Sequence, residues 1–345
     1  MGDYTFEYAI EYPEKPYLQI QVGNDDRKVK VLLDTNRDYS MVFHKTCNDS
    51  GTPCSNNIHD YLYDPVMTGG SISSLSLNDE KHLRHNRFKG RFYADKIRIG
   101  DHDISLQLGV INRGNPAKNF EWDGVIGLGI TRGNNYSILM ELMKQLKVRR
   151  ITIQEGHYHL QKKDKSDVKK SSGRITFGEY DGDLCGDFKY VQKGKGNGWT
   201  FTTEVTVGDD IYPDATVAIL PGRDTQVDQA SFNKYFENRK TLNQSLFGDI
   251  GFTIDGVTFN ITKEDYSWYN DDLSKSYRAR IDPIYPEYSY NFGLGSSFLK
   301  EYCVALTADD KFEEFQIGFA ENKEAYKLMG SIFMIIFLLI AVRYV

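Results

Sequence analysis

The sequence predicts a mainly β protein built from two related halves and followed by a membrane-spanning helix at the C-terminus. Short runs such as YLQIQVG and KIRIG, separated by turns rich in Gly, Asn and Asp, occur along most of the chain. A similar order of segments recurs in the second half of the chain, which indicates an internal repeat. The stretch LMGSIFMIIFLLIAV at 328–342 is uncharged and apolar throughout.

The composition is that of a globular protein with a sizeable core. Of the 345 residues, 40% are hydrophobic and 26% are charged, and the 23 Tyr and 20 Phe favour strands. The net charge of −6 and the lack of a basic stripe with interleaved aromatic residues argue against nucleic acid as a partner. His82 and His85 lack the cysteine or carboxylate neighbours of a metal site, so we expect no metal or other cofactor.

Helical periodicity is confined to two segments, 136–146 and 229–240. The polar segment KKDKSDVKKSSG at 162–173 is the candidate linker, which predicts an N-terminal β lobe at 1–173 and a C-terminal β lobe at 174–321. The strand end VLLDTN and the later DGVIGLG of the first half correspond in order to VAILPG and YNFGLGSSF of the second.

Five segments, taken in order between residues 15 and 320, resemble the pepsin-like aspartic peptidases. VLLDTNRDYSMVF is similar to the segment of that family in which two apolar residues precede Asp-Thr-Gly-Ser, and FEWDGVIGLG is similar to the Asp-Gly segment that follows. GRITFGEYDGDLCGDFKYV, GFTIDGVTFNITKEDY and FGLGSSFLKEYCVALTADDKFEEFQIGFA resemble strands of its second lobe. The resemblance implies a bilobal pepsin-like aspartic protease fold with a cleft between two related β lobes.

The chemistry implied by this resemblance needs one aspartate from each lobe. The two carboxyl groups share a proton and hold a water that attacks the peptide carbonyl. Asp34 matches the first aspartate, and Thr35 and Asn36 lie beside it in the cleft. Aligned without gaps, AILPGRDT puts Pro221 at the second catalytic position and Gly222 at the threonine that follows it. The second carboxylate is therefore missing from this alignment.

An alternative alignment with a three-residue insertion moves Asp224 into the second catalytic position. The protein would then be an active, membrane-anchored aspartic endopeptidase that uses Asp34 and Asp224. Two other departures argue against activity: Arg37 would keep Asp34 ionised, and Leu83 stands where the flap of the family carries a tyrosine. We therefore expect a catalytically inactive homologue that retains its cleft for a peptide or protein ligand. A purely structural Asp34, serving as a turn carboxylate, is the other alternative.

The four cysteines allow one local pair. Cys47 and Cys54 bracket a short Gly/Pro loop that a disulfide could close, and two reduced thiols are the alternative. The family often carries a small disulfide loop at this place. Cys185 and Cys303 lie far apart in sequence, and the pattern does not pair them.

The two terminal segments and the N-x-S/T glycosylation motifs indicate where the protein is located. Candidate glycosylation sites are Asn48, Asn135, Asn243 and Asn260, and they favour the secretory pathway. The run at 328–342 predicts a single-pass C-terminal anchor, with the folded part lumenal or extracellular. The N-terminal residues do not resemble a signal peptide, so we expect either that the N-terminus of this sequence is incomplete or that the protein is tail-anchored and faces the cytosol.

Overall fold

The computed structural model is mainly β, as predicted. It describes residues 4–11, 17–24, 28–49, 52–53, 63–65, 71–79, 88–99, 101–114, 123–130, 137–156, 170–179, 182–196, 198–237, 240–241, 243–270, 276–285 and 288–323. Strands of the first half are β1 (Tyr4–Glu11), β2 (Tyr17–Val22), β3 (Lys28–Asp34), β4 (Met41–Phe43), β5 (Asn48–Asp49), β6 (Thr52–Pro53), β7 (Ser71–Asp79), β8 (Phe88–Ile99), β9 (His102–Gly114), β10 (Gly124–Gly127), β11 (Arg150–Glu155) and β12 (Lys170–Phe177). Strands of the second half are β13 (Lys189–Gln192), β14 (Thr200–Val207), β15 (Asp210–Ile219), β16 (Thr225–Val227), β17 (Lys240–Thr241), β18 (Ile250–Ile254), β19 (Val257–Ile261), β20 (Ser267–Asn270), β21 (Ser276–Ala279), β22 (Ile281–Pro283), β23 (Phe292–Leu294), β24 (Tyr302–Ala308) and β25 (Phe315–Glu321).

Within the described residues, most strands belong to two large sheets. A thirteen-stranded sheet has the order β13-β25-β24-β11-β12-β1-β2-β3-β10-β4-β9-β8-β7. A seven-stranded sheet has the order β19-β18-β14-β15-β23-β16-β22. The larger sheet takes strands from both halves of the chain, since β11 pairs antiparallel with β24. The boundary predicted at residue 173 falls inside β12, which pairs with β1, and it stays a prediction.

The strands follow the alternating pattern of the sequence. In β3, Val29, Val31 and Leu33 are buried and the residues between them are partly or fully exposed, as expected for a strand with one face on the core. The same hydrophobic core takes in Phe201 and Phe252 of the seven-stranded sheet. Shared burial of this kind fixes the strand ends of the two halves relative to each other.

The helices are few and short. Helix α1 spans Ile138–Leu146, as predicted for 136–146, and its N-cap Ser137 accepts a hydrogen bond from the Met140 N–H. Helix α2 (Gln229–Ser231) continues into a π-helix, Phe232–Phe236. The predicted helix at 229–240 was therefore too long, because the chain returns to pairing at Lys240, opposite Arg278 of β21. Other helical segments of the described residues are a 3₁₀ turn at Gln244–Leu246, α3 at Lys263–Tyr266 and α4 at Ser296–Leu299.

Two disulfide assignments can be made in the described part of the chain. Cys185 and Cys303 are joined, with Cα atoms 6.1 Å apart and both side chains buried, a pairing that the sequence pattern did not provide. Cys47 is disulfide-bonded, and its predicted partner Cys54 lies outside the described residues. Because disulfides persist in oxidising compartments, these bonds are compatible with a lumenal or extracellular domain.

Several predictions concern residues outside the described ranges. They include Leu83, Asn135 and the apolar run 328–342. Among the residues that the structure describes, no helix combines the length and apolarity needed to cross a membrane. Asn243 and Asn260 are exposed, and Asn48 lies in β5. Glycosylation at these positions stays a prediction.

Candidate functional site

Asp34 ends a buried strand and begins a turn. It is the last residue of β3, opposite Gly127 of the parallel strand β10. Its side chain is 13% exposed, and its Oδ1 accepts a hydrogen bond from the Asn36 N–H at 2.9 Å. This contact between a carboxylate and the N–H two residues later shapes the turn locally. Asn36 adopts a negative φ, so the turn does not need the left-handed conformation that glycine would allow.

Arg37 lies directly behind Asp34. Its side chain is only 1% exposed, and its Nε is 3.8 Å from Asp34 Oδ2. The guanidinium also contacts the Tyr39 hydroxyl and the Met41 sulfur, each at 3.2 Å from Nη1. A buried guanidinium needs a counter-charge, so this contact favours an ionised Asp34.

Thr35 connects the first-half turn to the second half of the chain. It is 1% exposed, and its hydroxyl donates a hydrogen bond to the Ile219 carbonyl at the end of β15. The Thr35 carbonyl accepts from the Trp199 N–H at 3.3 Å, and the Trp199 indole donates to the Leu128 carbonyl at 2.7 Å. These bonds bring the ends of β3 and β15 together, as the sequence predicts for the two halves of a site.

An equivalent pair of parallel strands lies beneath each of the two turns. In the first half, β10 runs parallel to β3 and ends with Gly127 opposite Asp34. In the second half, β23 runs parallel to β15 and ends with Leu294 opposite Ile219. The residues after these strands can therefore be compared position by position.

Gly295 is the second-half counterpart of Gly127. The N–H of each glycine donates to a hydroxyl of its neighbouring turn, Ser40 at 3.1 Å for Gly127 and Thr225 at 3.3 Å for Gly295. Both glycines also approach the backbone of that turn so closely that a Cβ would lie within about 2.3 Å of a carbonyl oxygen. Extending the β15–β23 register by one residue puts Leu220 opposite Gly295. By this register Leu220 is the internal counterpart of the aspartate, one residue before Pro221.

Residues 220–223 form a tight turn at the end of β15. The Arg223 N–H donates to the Leu220 carbonyl at 3.2 Å, and Gly222 has φ +69°. Pro221 at the second position and a positive φ at the third are the features of a type II turn. Leu220 is 2% exposed, and its side chain packs over Gly293. The residue that this register puts opposite Gly295 therefore has a buried apolar side chain.

The turn ends at Arg223, whose electrostatic surroundings include Asp34. Burial by itself would lower the pKa of the half-buried Arg223 guanidinium, but the Asp34 carboxylate opposes this effect and the net pKa lies above the ordinary value. The hydroxyls of Tyr290 and Tyr288 also raise the pKa of Arg223. The two rings stack with centroids 5.2 Å apart, and the Tyr290 hydroxyl donates to Gln226 at 3.3 Å. The sequence analysis did not identify Tyr288 or Tyr290 as residues near the site.

The ion-pair partner of Asp224 is an arginine of the second half of the chain. Its Oδ1 forms an ion pair with Arg280 Nη2 at 2.7 Å. Both side chains line a small pocket with Lys300 and Asp265. The next residue, Thr225, is buried and its hydroxyl is 2.5 Å from that of Ser297. The described geometry thus gives Asp224 a basic partner within its own half.

Glu155 is a buried carboxyl group that the sequence analysis missed. It ends β11, is 0% exposed, and burial raises its pKa to about 8. The Ser296 hydroxyl, the Gly222 N–H and the charges of Arg280 and Lys300 oppose this rise only in part. Neither carboxyl oxygen makes a hydrogen bond of good geometry. The only signal in the sequence is a glutamate that closes the alternating segment RITIQE.

Comparison with protein families identifies a relationship over most of the chain. The family model described as eukaryotic aspartyl protease matches residues 16–322, a range that contains both turns and the strands beneath them. No curated protein matches the chain. The family match confirms the resemblance predicted from the five sequence segments.

Proposed function

Because the chain belongs to the eukaryotic aspartyl protease family, we propose that it is a catalytically inactive member whose interlobe cleft binds a peptide segment. Hydrolysis in this family depends on two carboxyl groups that share a proton around a water. One group takes a proton from the attacking water while the other polarises the substrate carbonyl. A single carboxylate cannot fill both roles.

The observation that carries the proposal is the turn at residues 220–223. By strand register its first residue is Leu220, and Pro221 and Gly222 form its corner. Arg37 Nε lies 3.8 Å from Asp34 Oδ2, and this positive charge favours the ionised carboxylate. An ionised carboxylate that faces a guanidinium cannot hold the shared proton on which the reaction depends.

Retention of the cleft is supported by the contacts between the halves. The Thr35 hydroxyl reaches the Ile219 carbonyl, and Trp199 donates to the backbone on the other side. A protein in which the turn at Thr35 still contacts the end of β15, but which has no second carboxylate, retains a groove suited to peptide binding. The buried Cys185–Cys303 bond and the exposed sequons support a lumenal or extracellular domain, anchored through 328–342.

The alternative is an active endopeptidase that uses Asp34 and Asp224. It requires Asp224 to leave Arg280, from which it is 2.7 Å away, and to pass the backbone of the turn. Loss of that ion pair would leave Arg280 without the carboxylate that it faces. No described contact favours this rearrangement.

A cleavage assay tests the proposal. The full-length protein would be incubated with a randomised peptide pool between about pH 3 and pH 7, with and without an aspartic-protease inhibitor, and products followed by mass spectrometry. We expect the same product pattern for the wild type, the wild type with inhibitor, and Asp34→Asn. Cleavage that the inhibitor abolishes and that Asp34→Asn also abolishes would overturn the proposal.

A further inference from the structure

The last described residues of the chain are fastened to one surface of the second half. The Lys323 N–H donates a hydrogen bond to the Leu184 carbonyl at 2.8 Å, and the Lys323 ammonium donates to the Gly182 carbonyl at 2.9 Å. These bonds fix the point at which the chain leaves the fold. Residues 182–187 together with Lys323 are called the exit surface below.

The exit surface is a rigid part of the larger sheet. The buried Cys185–Cys303 disulfide joins it to β24, and Cys303 pairs with Ala320 of β25. Leu184 and Phe188 pack against the small buried cluster that these three residues form. The position of the exit surface relative to the ends of β24 and β25 is therefore set by a covalent bond, by strand pairing and by packing.

Only a short tether separates the exit surface from the apolar run that predicts a membrane anchor. Residues 324–327 follow Lys323, and the uncharged run occupies 328–342. Five Cα–Cα steps lead from Lys323 to residue 328, and they span at most about 18 Å even when fully extended. Spanning as a helix, the run covers about 22 Å, which is less than the roughly 30 Å of a hydrocarbon core. The run therefore has no spare length to add to the tether.

The turns of the cleft lie beyond the opposite end of the same strands. β25 runs from Phe315 to Glu321, which is about 20 Å, and its last residue is close to the exit surface. At the other end, the ring of Phe315 contacts that of Trp199, with centroids 6.0 Å apart. The Trp199 N–H donates to the carbonyl of Thr35, the residue after Asp34. The length of β25 thus separates the exit surface from the turn at Asp34.

From the short tether and the fixed exit surface we infer that the exit surface is the part of the fold that lies on the lipid headgroups, with the cleft at the end of the fold away from the bilayer. This inference rests on the membrane anchor included in the proposed function. An inverted fold, with its cleft on the bilayer, would lift the exit surface by about 20 Å, which is more than the tether allows. The cleft then receives peptide segments from the aqueous phase.

Fluorescence energy transfer on the full-length protein measures this orientation. The protein would be reconstituted into phosphatidylcholine vesicles whose headgroups carry an acceptor dye, and a donor dye would be attached through a click-reactive amino acid at Gly182 or at Lys195. Gly182 lies on the exit surface, and a Cβ there would meet no atom within 4 Å. Lys195 is the matched position, since it is exposed and follows β13 at the end where Lys193 donates to the Phe315 carbonyl.

The expected distances follow from the tether and from the length of β25. The donor at Gly182 should lie within about 20 Å of the headgroups, and the donor at Lys195 should lie about 20 Å farther from them. Thermal unfolding of both labelled proteins should match that of the wild type, which checks that the labels leave the fold unchanged.

A longer tether provides the second variant. Inserting about 20 Gly and Ser residues after Lys323 adds a flexible reach of about 25 Å. The donor at Gly182 should then move away from the headgroups, and the difference between the two positions should shrink. Unchanged distances after this insertion would overturn the inference, because the tether would not be what holds the exit surface.

The outcomes separate this inference from the proposals on which it rests. Equal distances at Gly182 and Lys195, or a shorter distance at Lys195, would overturn the orientation and leave the anchor and the peptide-binding function standing. Failure of the full-length protein to associate with the vesicles would overturn the anchor, and the inference with it. The cleavage assay on the peptide pool is independent of these results, so the loss of catalysis is judged separately.

Discussion

Replacing Glu155 by glutamine should flatten the dependence of folding stability on pH. In the wild type, burial raises the pKa of Glu155 from 4.5 to about 8, so the folded protein holds a proton that the unfolded chain releases. The stability that comes from this proton is fully present below about pH 4.5 and is lost as the pH rises through 8. Glutamine has the same shape and no ionisable proton, so the loss should disappear.

The size of the effect follows from the pKa difference. One pKa unit corresponds to about 1.4 kcal/mol, so the full effect is about 5 kcal/mol, and about 3 kcal/mol of it falls between pH 5 and pH 8. Glu155 is 0% exposed, so solvent screening does not reduce this figure. The cations that face the carboxyl are Arg280 and Lys300, and their opposing effect is already included in the pKa.

Urea unfolding of both proteins at pH 5, 6, 7 and 8 measures the prediction. The quantity of interest is the difference between the two unfolding free energies at each pH, because other groups titrate equally in both. Glu301, whose pKa burial raises to about 7, is one such group, and Glu301→Gln is the control for a less buried neighbour. Parallel curves for the wild type and Glu155→Gln would refute the assignment of Glu155 as a neutral buried acid.

Three further predictions concern the framework of the site. Thr35→Val leaves the buried Ile219 carbonyl without its donor and should lower the unfolding free energy by about 1–3 kcal/mol in urea denaturation. Gly222→Ala puts a side chain at φ +69° and should lower it by about 1 kcal/mol, measured in the same way. Replacing Cys185 and Cys303 together by serine opens a loop closed over 118 residues and should lower it by about 4 kcal/mol, a difference that should disappear when both proteins are measured under reducing conditions.

Matched controls are present in the chain. Thr202→Val changes an exposed threonine of β14 and should have little effect on stability. Gly182→Ala adds a methyl group where no atom lies within 4 Å and where φ is not positive, so it should be close to neutral. Losses for these controls equal to those for Thr35→Val and Gly222→Ala would contradict the structural reasons given.

Local patterns predicted much of this site from the sequence. An alternating strand that ends in Asp-Thr located Asp34, and a Pro-Gly pair located the turn in the second half. The alignment of that turn was harder, because the place of Leu220 is set by how β15 pairs with β23 and not by its own neighbours. Local sequence indicates a turn, but tertiary pairing decides which residue the turn presents.

Long-range contacts were not accessible in this way. The Cys185–Cys303 bond spans 118 residues, and four cysteines alone allow several pairings. Glu155 has an ordinary sequence context, and its burial follows from the packing of β11 against the turn at Gly222 and helix α4. The hydrogen bond from Thr35 to the Ile219 carbonyl likewise results from the meeting of two halves that are distant in sequence.

The central claim is that Asp34 faces the Arg37 guanidinium and that the turn at residues 220–223 presents Leu220 rather than a carboxylate. A crystal structure of the folded part, refined well enough to place side chains, tests it through the distances from the Asp34 carboxylate oxygens to surrounding groups. The account predicts Arg37 Nε within about 4 Å of Asp34 and Asp224 still paired with Arg280. A carboxyl group of Asp224, or of any other second-half residue, at about 3 Å from Asp34 or bridged to it by one water would contradict the account and restore the peptidase.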